Sequence, residues 1–375
     1  MTEAETLQQT GRTQVWRHGR KLVYFAGCDY FRLARRPEIW RAAARAGRDL
    51  GWNVSASRRT TGNHELYQTL ERALAEFFHA PAAVLLPTGY LGDMAVAQAL
   101  AGQFTHALMD ERVHGSLVAA ARFLDSPVQT FRHRQPADLA RAIRRCGPRA
   151  RVIVLTDGMF AADGSVAPLA EYLAVLPADG MILVDDAHGA GVLGRQGRGT
   201  PEHTGAGRRR IIQTITLSKA LGAYGGAVLA GRAVCDKIMT ASPCFAGATP
   251  VPLPLAASAL AGLKLLAAHP EWRTRLWANS ERVKAALRAR GVPLPEAPGP
   301  IVPLPVTSPR EAARWRRALL AAGIYPSFFR YPGAPADGCF RFVISSAHSR
   351  AELDRLTDVL TALVRPAGPG NHLQR

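Results

Sequence analysis

The sequence of 375 residues predicts an α/β protein whose large domain has a mostly parallel sheet between helices, followed by a smaller α+β C-terminal domain. Short apolar runs recur through the middle of the chain, and amphipathic segments with helical spacing separate several of them. Continuous apolar strands that alternate with helices are typical of a parallel sheet buried on both faces. The predicted strands are "AAVLLPT" (82–88), "RVIVLTD" (151–157), "MILVDD" (181–186), "IIQTITL" (211–217) and "GGAVLAG" (225–231).

The large domain is predicted to span residues 46–265. Its helices include the amphipathic segments 64–78 and 115–124 and the apolar segment 251–268. This last segment contains two prolines and a lysine, which indicates a buried helix rather than a membrane span.

The smaller domain is predicted to span 266–365 and to be joined by the N-terminal segment 1–45. Its two strand–helix units are 300–306 with 308–323 and 339–345 with 350–364. Ser308 followed by Pro309 is typical of a helix start, because serine caps the first N–H groups and proline suits the first turn. The tail 366–375 is predicted to be disordered.

The composition is that of a soluble globular protein, with 47% hydrophobic and 20% charged residues. No apolar stretch reaches the roughly 18 residues of a membrane helix, and the polar N-terminus lacks the apolar core of a secretory signal. A cytoplasmic location and no membrane partner are therefore expected. The cysteines are scattered without metal-ligand spacing, which predicts free thiols and no metal site. They are Cys28, Cys146, Cys235, Cys244 and Cys339.

The chain is strongly basic, with a formal net charge of +18 and arginine as 42 of its 47 basic residues. Such a charge would attract nucleic acid, acidic lipid or a phosphorylated substrate. The basic residues are spread along the chain, however, and no nucleic-acid-binding motif accompanies them. A solvated basic surface is therefore the favoured interpretation, and a nucleic-acid partner is not expected.

Lys219 stands out among the five lysines of the chain because it follows the predicted strand 211–217, between hydroxyl residues and a glycine-rich run. Buried lysines lose their proton readily, and a neutral amine is the nucleophile of Schiff-base chemistry. The other four lysines lie near the N-terminus or within helical patterns. Lys219 is therefore the candidate catalytic lysine.

Acidic and imidazole side chains directly follow another predicted strand. Beyond its carboxyl end, where doubly wound sheets bind ligands, lie Asp185, Asp186 and His188. Adjacent carboxylates are costly to bury unless they bind something or cap local backbone. The next run, "GAGVLG" (189–194), matches G-x-G-x-x-G, but it opens no helix and no acid follows about 20 residues later. A dinucleotide site is therefore rejected.

The residues at these strand ends match what pyridoxal phosphate requires of a protein. That cofactor needs a lysine amine, an acid for its ring nitrogen, donors for its phosphate and a group on its ring face. The first two could be supplied by Lys219 and Asp185. The phosphate donors could come from Thr216 and from the turn "PTGY" (87–90), which closes a strand and opens a helix.

In "VDDAHGAGVLGRQGRG" and "TLSKALGAYGG" the chain resembles the α-oxoamine synthases, a family within the fold-type-I pyridoxal phosphate enzymes. The resemblance covers nearly the whole chain in order. Further matching segments are "TGNHELYQTLERALAEFF", "LLPTGYLGD", "MDERVHGSLVAAAR", "TDGMFAADGSVAPLAE" and "FRFVISSAHSRAELDRL".

The resemblance assigns cofactor roles to four residues. It makes Lys219 the Schiff-base lysine and pairs Asp185 with the pyridinium nitrogen. His188 would bond the phenolic oxygen of the ring, and His114 would stack on the ring face.

The resemblance also implies contacts at the two ends of the cofactor and substrate. Thr216 and the turn at Gly89 and Tyr90 would contact the phosphate. Arg341, in "FRF", would grip the carboxylate of an amino acid, as a planar guanidinium can. Cys28 occupies a position that often touches substrate.

Four departures from the family pattern lie near the predicted site. Ala161 stands where the family has a serine, and Cys28 stands where it has an asparagine. The segment "NVSASRR" (53–59) replaces a glycine- and serine-rich run, and the hydroxyl residues near "CFAGATPVP" (244–252) do not align cleanly. Intact cofactor residues with altered substrate-side residues favour the family chemistry on a non-standard substrate.

The resemblance implies a homodimeric transferase with a shared active site. It would join a small α-amino acid, such as glycine, alanine or serine, to an acyl thioester of coenzyme A or a carrier protein, with decarboxylation to an α-amino ketone. One alternative is another fold-type-I reaction, namely transamination, retro-aldol cleavage or decarboxylation. A second is a basic nucleic-acid-binding protein on a degenerate enzyme fold.

Overall fold

The computed structural model describes residues 6–329 and 337–364, which fall into two compact units. The large unit comprises residues 33–161 and 166–270, and the small unit comprises the chain up to residue 32, residues 162–165 and the chain from residue 271. The domain limits drawn from the sequence stay a prediction. The predicted disordered tail, 366–375, lies outside the described residues.

The strands of the described residues are β1 (Gln8–Thr10), β2 (Gln14–Arg17), β3 (Arg20–Val23), β4 (Ala82–Leu86), β5 (His106–Asp110), β6 (Val128–Phe131), β7 (Val152–Asp157), β8 (Met181–Asp185), β9 (Ile211–Thr216), β10 (Gly226–Ala230), β11 (Ile301–Pro305), β12 (Phe328–Phe329) and β13 (Cys339–Val343). The α-helices of the same residues are α1 (Pro37–Leu50), α2 (Glu65–Phe77), α3 (Gly89–Ala99), α4 (Gly115–Ala121), α5 (Pro136–Cys146), α6 (Leu169–Val175), α7 (Thr200–His203), α8 (Arg232–Ala241), α9 (Pro243–Gly247), α10 (Leu253–Ala268), α11 (Pro270–Arg288), α12 (Pro309–Ala321) and α13 (Arg350–Leu363).

The described part of the large unit contains a seven-stranded sheet in the order β4-β10-β9-β8-β7-β5-β6. The strands from β9 to β6 run parallel, whereas β10 runs antiparallel to both β9 and β4. The predicted mostly parallel sheet is confirmed, and all five predicted strands lie in it. Strands β5 and β6 were not predicted, because "HALMD" and "VQTF" are short and interrupted by polar residues.

Both faces of this sheet are covered, which explains the continuous apolar runs. In β7, Ile153 joins one apolar cluster with side chains of α3 and α4, and Val154 joins another with side chains of α5 and α6. Burying such a side chain stabilises the fold by about 1.5–3 kcal/mol. The first four residues of β7, Val152 to Leu155, are therefore all apolar, and its polar residues come at its carboxyl end.

The polar residues collect at the carboxyl edge of the sheet. The parallel strands β7, β8 and β9 end there, with Asp157 opposite Asp185 and Asp185 opposite Thr214. The antiparallel pairing of β10 places its first residue, Gly226, opposite both Thr216 and Leu86. The turn from β4 into α3 therefore lies at the same edge.

The small unit has an antiparallel sheet in the order β11-β13-β12, packed with α12 and α13 in one apolar core. Both predicted strand–helix units are confirmed. Ser308 accepts a hydrogen bond from the Glu311 N–H at the start of α12, as predicted. The N-terminal residues contribute to this unit through Val23, which pairs with Ile324.

Helix α10 is buried, as predicted for segment 251–268. Eight of its 16 residues are buried. Within the described ranges, no helix is by itself long and apolar enough to cross a membrane, although the consecutive pair α10 and α11 meets the length and composition criteria together.

Candidate active site

A cavity of about 200 Å³ lies at the carboxyl edge of the large sheet. Its lining brings together all seven site residues that were predicted within the large unit. They are Gly89, Tyr90, His114, Asp185, His188, Thr216 and Lys219.

Lys219 extends from the loop after β9, and its Nζ lies 2.9 Å from His188 Nε2. The loop turns back at Gly222, whose N–H donates to the Lys219 carbonyl oxygen. Gly222 has a φ of +63°, and a Cβ there would lie 2.5 Å from Leu33 Cβ. Glycine is therefore required for the turn that presents the lysine.

Asp185 ends β8 with its carboxylate held by two donors. Its Oδ1 accepts a hydrogen bond from the Ala187 N–H at 3.0 Å, and its Oδ2 accepts one from Ser116 Oγ at 3.1 Å. Both donors fix the orientation of the carboxylate. The geometry suits an acid that pairs with a cationic group in the cavity.

Ser116 is a site residue that the sequence analysis missed. It lies in the first turn of α4 and is only 1% exposed. Its Oγ lies 2.8 Å from His114 Nδ1 as well as next to Asp185. The signal available in the sequence was its place two residues after His114, where a small hydroxyl residue can hold the imidazole.

His114 is held by hydrogen bonds through both its ring and its backbone N–H. His114 caps α4, and its Nδ1 accepts a hydrogen bond from the Ser116 N–H at 3.2 Å. Its own backbone N–H donates to Asp157 Oδ1 at 2.9 Å. The ring thus has one orientation in the lining of the cavity.

Asp186 has a different environment from Asp185, although the two are adjacent in sequence. It is fully buried, and its carboxyl accepts hydrogen bonds from Thr200 N, Thr200 Oγ1 and Gln213 Nε2 at 2.6–2.9 Å. Burial raises the pKa of Asp186 to about 7. A Cβ at Gly189 would lie 2.1 Å from its Oδ1, so Asp186 fixes the loop after β8 rather than lining the cavity.

The start of α3 forms the other end of the cavity. Thr88 caps the helix by accepting a hydrogen bond from the Leu91 N–H, which leaves the first-turn N–H groups at Gly89 and Tyr90 directed outward from the helix start. A Cβ at Gly89 would lie 3.0 Å from Thr216 Cβ. A helix N-terminus next to a threonine hydroxyl is a site for an anion such as phosphate.

The remaining predicted residues lie in the small unit. Arg341, on β13, places its Nη2 3.7 Å from Cys28 Sγ. The side chain of Tyr30 is fully buried, with both residues within electrostatic range of its hydroxyl. The small unit therefore brings together the two predicted substrate contacts.

Two of the departures from the family pattern, Ala161 and the segment 53–59, lie in the large unit. Ala161 lines the cavity and offers no hydroxyl. In the segment 53–59, Arg58 is buried and forms an ion pair with Glu71 at 2.5 Å. Glu71 also accepts a hydrogen bond from the Leu85 N–H of β4 at 2.7 Å, so this segment is tied to the sheet.

The cavity fits pyridoxal phosphate by its donor set. One part of its lining has the Lys219 amine, the Asp185 carboxylate with its two donors, and the imidazoles of His114 and His188. Another part has the N-terminus of α3, where Gly89 lies close to Thr216. Gly89 lets the start of α3 approach Thr216, because a Cβ at Gly89 would lie 3.0 Å from Thr216 Cβ.

Comparison with known proteins gives the same assignment. A family model described as "Aminotransferase class I and II" matches residues 28–360. The 8-amino-7-oxononanoate synthase of Methylobacterium radiotolerans is 38% identical over 350 residues, which are 92% of this chain and 89% of that protein. The enzyme of the same name from Methylococcus capsulatus is 35% identical over 358 residues, which are 94% and 92% of the two chains.

Two solved structures are similar over most of the chain. Serine palmitoyltransferase of Sphingomonas wittichii has a TM-score of 0.89 at 27% identity and covers 95% of this chain and 90% of its own. Serine palmitoyltransferase from S. paucimobilis, with a bound PLP–myriocin aldimine, has a TM-score of 0.89 at 25% identity, with coverages of 96% and 92%. The protein is therefore a member of the aminotransferase class I and II family and, within it, of the pyridoxal phosphate-dependent α-oxoamine synthases.

Proposed function

We propose that this protein is an acyltransferase that joins a small α-amino acid to an acyl thioester, releases the amino acid's carboxylate as carbon dioxide and forms an α-amino ketone. One observation carries this proposal. The cavity brings together the Lys219 amine, 2.9 Å from His188, and the Asp185 carboxylate, which accepts two hydrogen bonds. The relatives named 8-amino-7-oxononanoate synthase support acyl transfer over other reactions of the fold.

Four residues would hold the cofactor ring. Pyridoxal phosphate supplies a carbonyl for amines and a ring that accepts the electrons left when a bond to the amino acid's α-carbon breaks. Lys219 would bond its carbonyl carbon, and Asp185 would pair with its ring nitrogen. His188 would bond its phenolic oxygen, and His114 would cover its face. Lys219 Nζ would also be the base that takes the proton from the amino acid's α-carbon.

The phosphate would be bound at the start of α3. Gly89 and Tyr90 supply backbone N–H groups there, and the Thr216 hydroxyl lies beside them. The partial positive charge of the helix N-terminus favours a dianion at this end of the cavity.

Arg341 would grip the carboxylate of the amino acid, with Cys28 beside it. A guanidinium holds a carboxylate through two parallel hydrogen bonds and therefore orients the α-carbon. The Cys28 thiol is a weaker hydrogen-bond donor than an amide, so this pair favours a small substrate without a polar group at that position.

The acyl donor would be a thioester of coenzyme A or of an acyl carrier protein, and the enzyme would act as a homodimer with a shared active site. The net charge of +18 supports a phosphorylated or acidic donor. Raising the salt concentration should raise the KM for the thioester more than that for the amino acid. The cytoplasmic location stays a prediction.

The test is a spectroscopic and product screen. We would titrate amino acids into the enzyme–cofactor complex, record the visible absorption, and measure carbon dioxide release with and without acyl thioesters. Perturbation of the band by one amino acid, followed by thioester-dependent carbon dioxide release, is expected. Carbon dioxide release that does not require a thioester would contradict acyl transfer.

Another fold-type-I reaction is the second candidate, because Ala161 removes a hydroxyl from the cavity and Cys28 alters the substrate contact. Transamination would convert the amino acid to a 2-oxo acid, retro-aldol cleavage would release an aldehyde, and simple decarboxylation would release carbon dioxide alone. Product analysis in the same screen separates these reactions. Tight binding to nucleic acid with no change of the absorption band would instead favour the nucleic-acid-binding alternative.

A further inference from the structure

Asp93 is a buried carboxyl group next to the site that no catalytic role accounts for. It lies in the second turn of α3 and is 0% exposed. Its Oδ1 accepts a hydrogen bond from Thr214 Oγ1 at 2.6 Å. Within the described residues, its Oδ2 is buried and has no hydrogen-bond donor.

The neighbours of Asp93 are the groups that hold Asp185. Thr214 is the register partner of Asp185 in the adjacent strand, and the side chains of Ser116 and Asp185 themselves lie against the Asp93 carboxyl. Asp157, on β7, is also close enough to act on it electrostatically. Two carboxyl groups in such contact cannot both be ionised at low cost, because each charge is desolvated and repels the other.

Asp185 and Asp93 differ in the hydrogen bonds that they accept and in their exposure, and these differences decide which of the two carboxyl groups carries the proton. Asp185 faces the cavity and accepts hydrogen bonds from the Ala187 N–H and the Ser116 hydroxyl, whereas Asp93 is fully enclosed, accepts one from Thr214 and only lies near the Ser116 hydroxyl. Burial, and then the Asp185 charge, raise the pKa of Asp93 well above its ordinary value. A proton on Asp93 Oδ2 would also satisfy the one oxygen that has no donor.

We propose that Asp93 is a positioning residue that, as a neutral carboxylic acid, donates a hydrogen bond from Oδ2 to the Asp185 carboxylate. A third hydrogen bond would hold the Asp185 carboxylate in place as an acceptor for a charged N–H donor. When Asp185 pairs with the cofactor's ring nitrogen, as proposed above, the shared proton then stays on the ring nitrogen. Asp93 acts on the ring through Asp185 and does not contact it.

Two variants separate this role from simple packing. Asp93→Asn keeps a donor toward Asp185 and an acceptor for Thr214, whereas Asp93→Leu keeps the approximate volume and removes both. We would bind ¹⁵N-labelled pyridoxal phosphate and record the ring-nitrogen NMR shift without any substrate. The wild type and Asp93→Asn are expected to give a protonated nitrogen, and Asp93→Leu is expected to shift toward the neutral value and to weaken cofactor binding about tenfold.

A second measurement does not depend on how well the leucine variant folds. The infrared difference spectrum of wild type minus Asp93→Asn, taken on the holoenzyme at neutral pH, should contain the carbonyl band of a protonated carboxylic acid. An ionised carboxylate band instead, or a nitrogen signal that changes in Asp93→Asn as much as in Asp93→Leu, would overturn the proposal.

The proposed function is tested separately by Asp185→Asn. A ring-nitrogen shift that does not respond to that variant contradicts the role of Asp185 itself. A shift that responds to Asp185→Asn but not to Asp93→Leu contradicts only the role of Asp93.

Discussion

Ser116 links two side chains of the site that lie on different elements. Its hydroxyl lies 2.8 Å from His114 Nδ1 and 3.1 Å from Asp185 Oδ2. Its single hydroxyl hydrogen is donated to the Asp185 carboxylate, and its backbone N–H is donated to His114 Nδ1, so this one residue holds both side chains. Hydrogen bonds to a charged group contribute about 1.5–3 kcal/mol, so we expect this one side chain, which also lines the cavity, to affect cofactor binding.

Substituting Ser116→Ala should weaken pyridoxal phosphate binding by about tenfold, because Asp185 loses one of its two donors. The dissociation constant can be measured by titrating the apoprotein and following the visible absorption. Ser258→Ala is the matched control, since Ser258 is also buried and, among the described residues, its hydroxyl donates to the Leu255 carbonyl oxygen in α10. An unchanged constant in Ser116→Ala would refute the role of the hydroxyl.

At the scale of elements, the close approach of β10 and α3 shapes the phosphate end of the cavity. A Cβ at Gly226 would lie 2.4 Å from Gly89 N and from Thr88 C. The contact is with backbone, so no side-chain movement can relieve it. The glycine run after Lys219 therefore serves two purposes, since Gly222 turns the chain and Gly226 lets the start of α3 approach the sheet.

Gly226→Ala should lower the free energy of unfolding by about 1–3 kcal/mol or more, the usual cost of overpacking a rigid site. Gly231→Ala, at the other end of β10, should have little effect, because nothing lies within 4 Å of its added Cβ and its φ is −61°. Urea unfolding of the two variants provides the comparison. Equal stabilities would contradict the close contact between β10 and α3.

At the scale of the whole molecule, buried acids make stability depend on pH. The pKa of Asp186 is raised to about 7, and those of Asp93 and Asp157 are raised well above the ordinary value, in each case mainly by burial. These groups bind protons in the folded state that the unfolded chain has already released. Their stabilising contribution is therefore lost as the pH rises through the folded-state pKa.

The free energy of unfolding should fall as the pH rises from about 6.5 through the Asp186 pKa of about 7. Below this window the trend is offset by His348, whose pKa is lowered to about 3 by burial, and above it by Lys284, whose pKa is lowered to about 8 by burial. Urea unfolding at several pH values measures the slope. In Asp93→Asn, the fall in unfolding free energy should be less steep than in the wild type, by up to about 1.4 kcal/mol per pH unit. A fall that is equally steep or steeper in the variant would contradict a protonated Asp93.

The sequence was sufficient for the central strands and for the residues that follow them. An apolar run ends where the sheet ends, so Asp185 and Lys219 could be placed at one edge from the sequence alone. Ser116 and Asp93 could not, because each lies in a helical segment where a polar residue is typical of the solvent-exposed face. Their burial depends on how α3 and α4 pack on the sheet, which no local pattern encodes.

The central claim is that Lys219 bonds the cofactor. The enzyme–cofactor complex should be reduced with borohydride, digested and analysed by mass spectrometry, with Lys219→Arg as the control. The chain has five lysines, and we expect the phosphopyridoxyl mass on Lys219 alone, and on none of them in the variant. An adduct on another lysine of the wild type, or the same adduct yield in Lys219→Arg, would contradict the assignment.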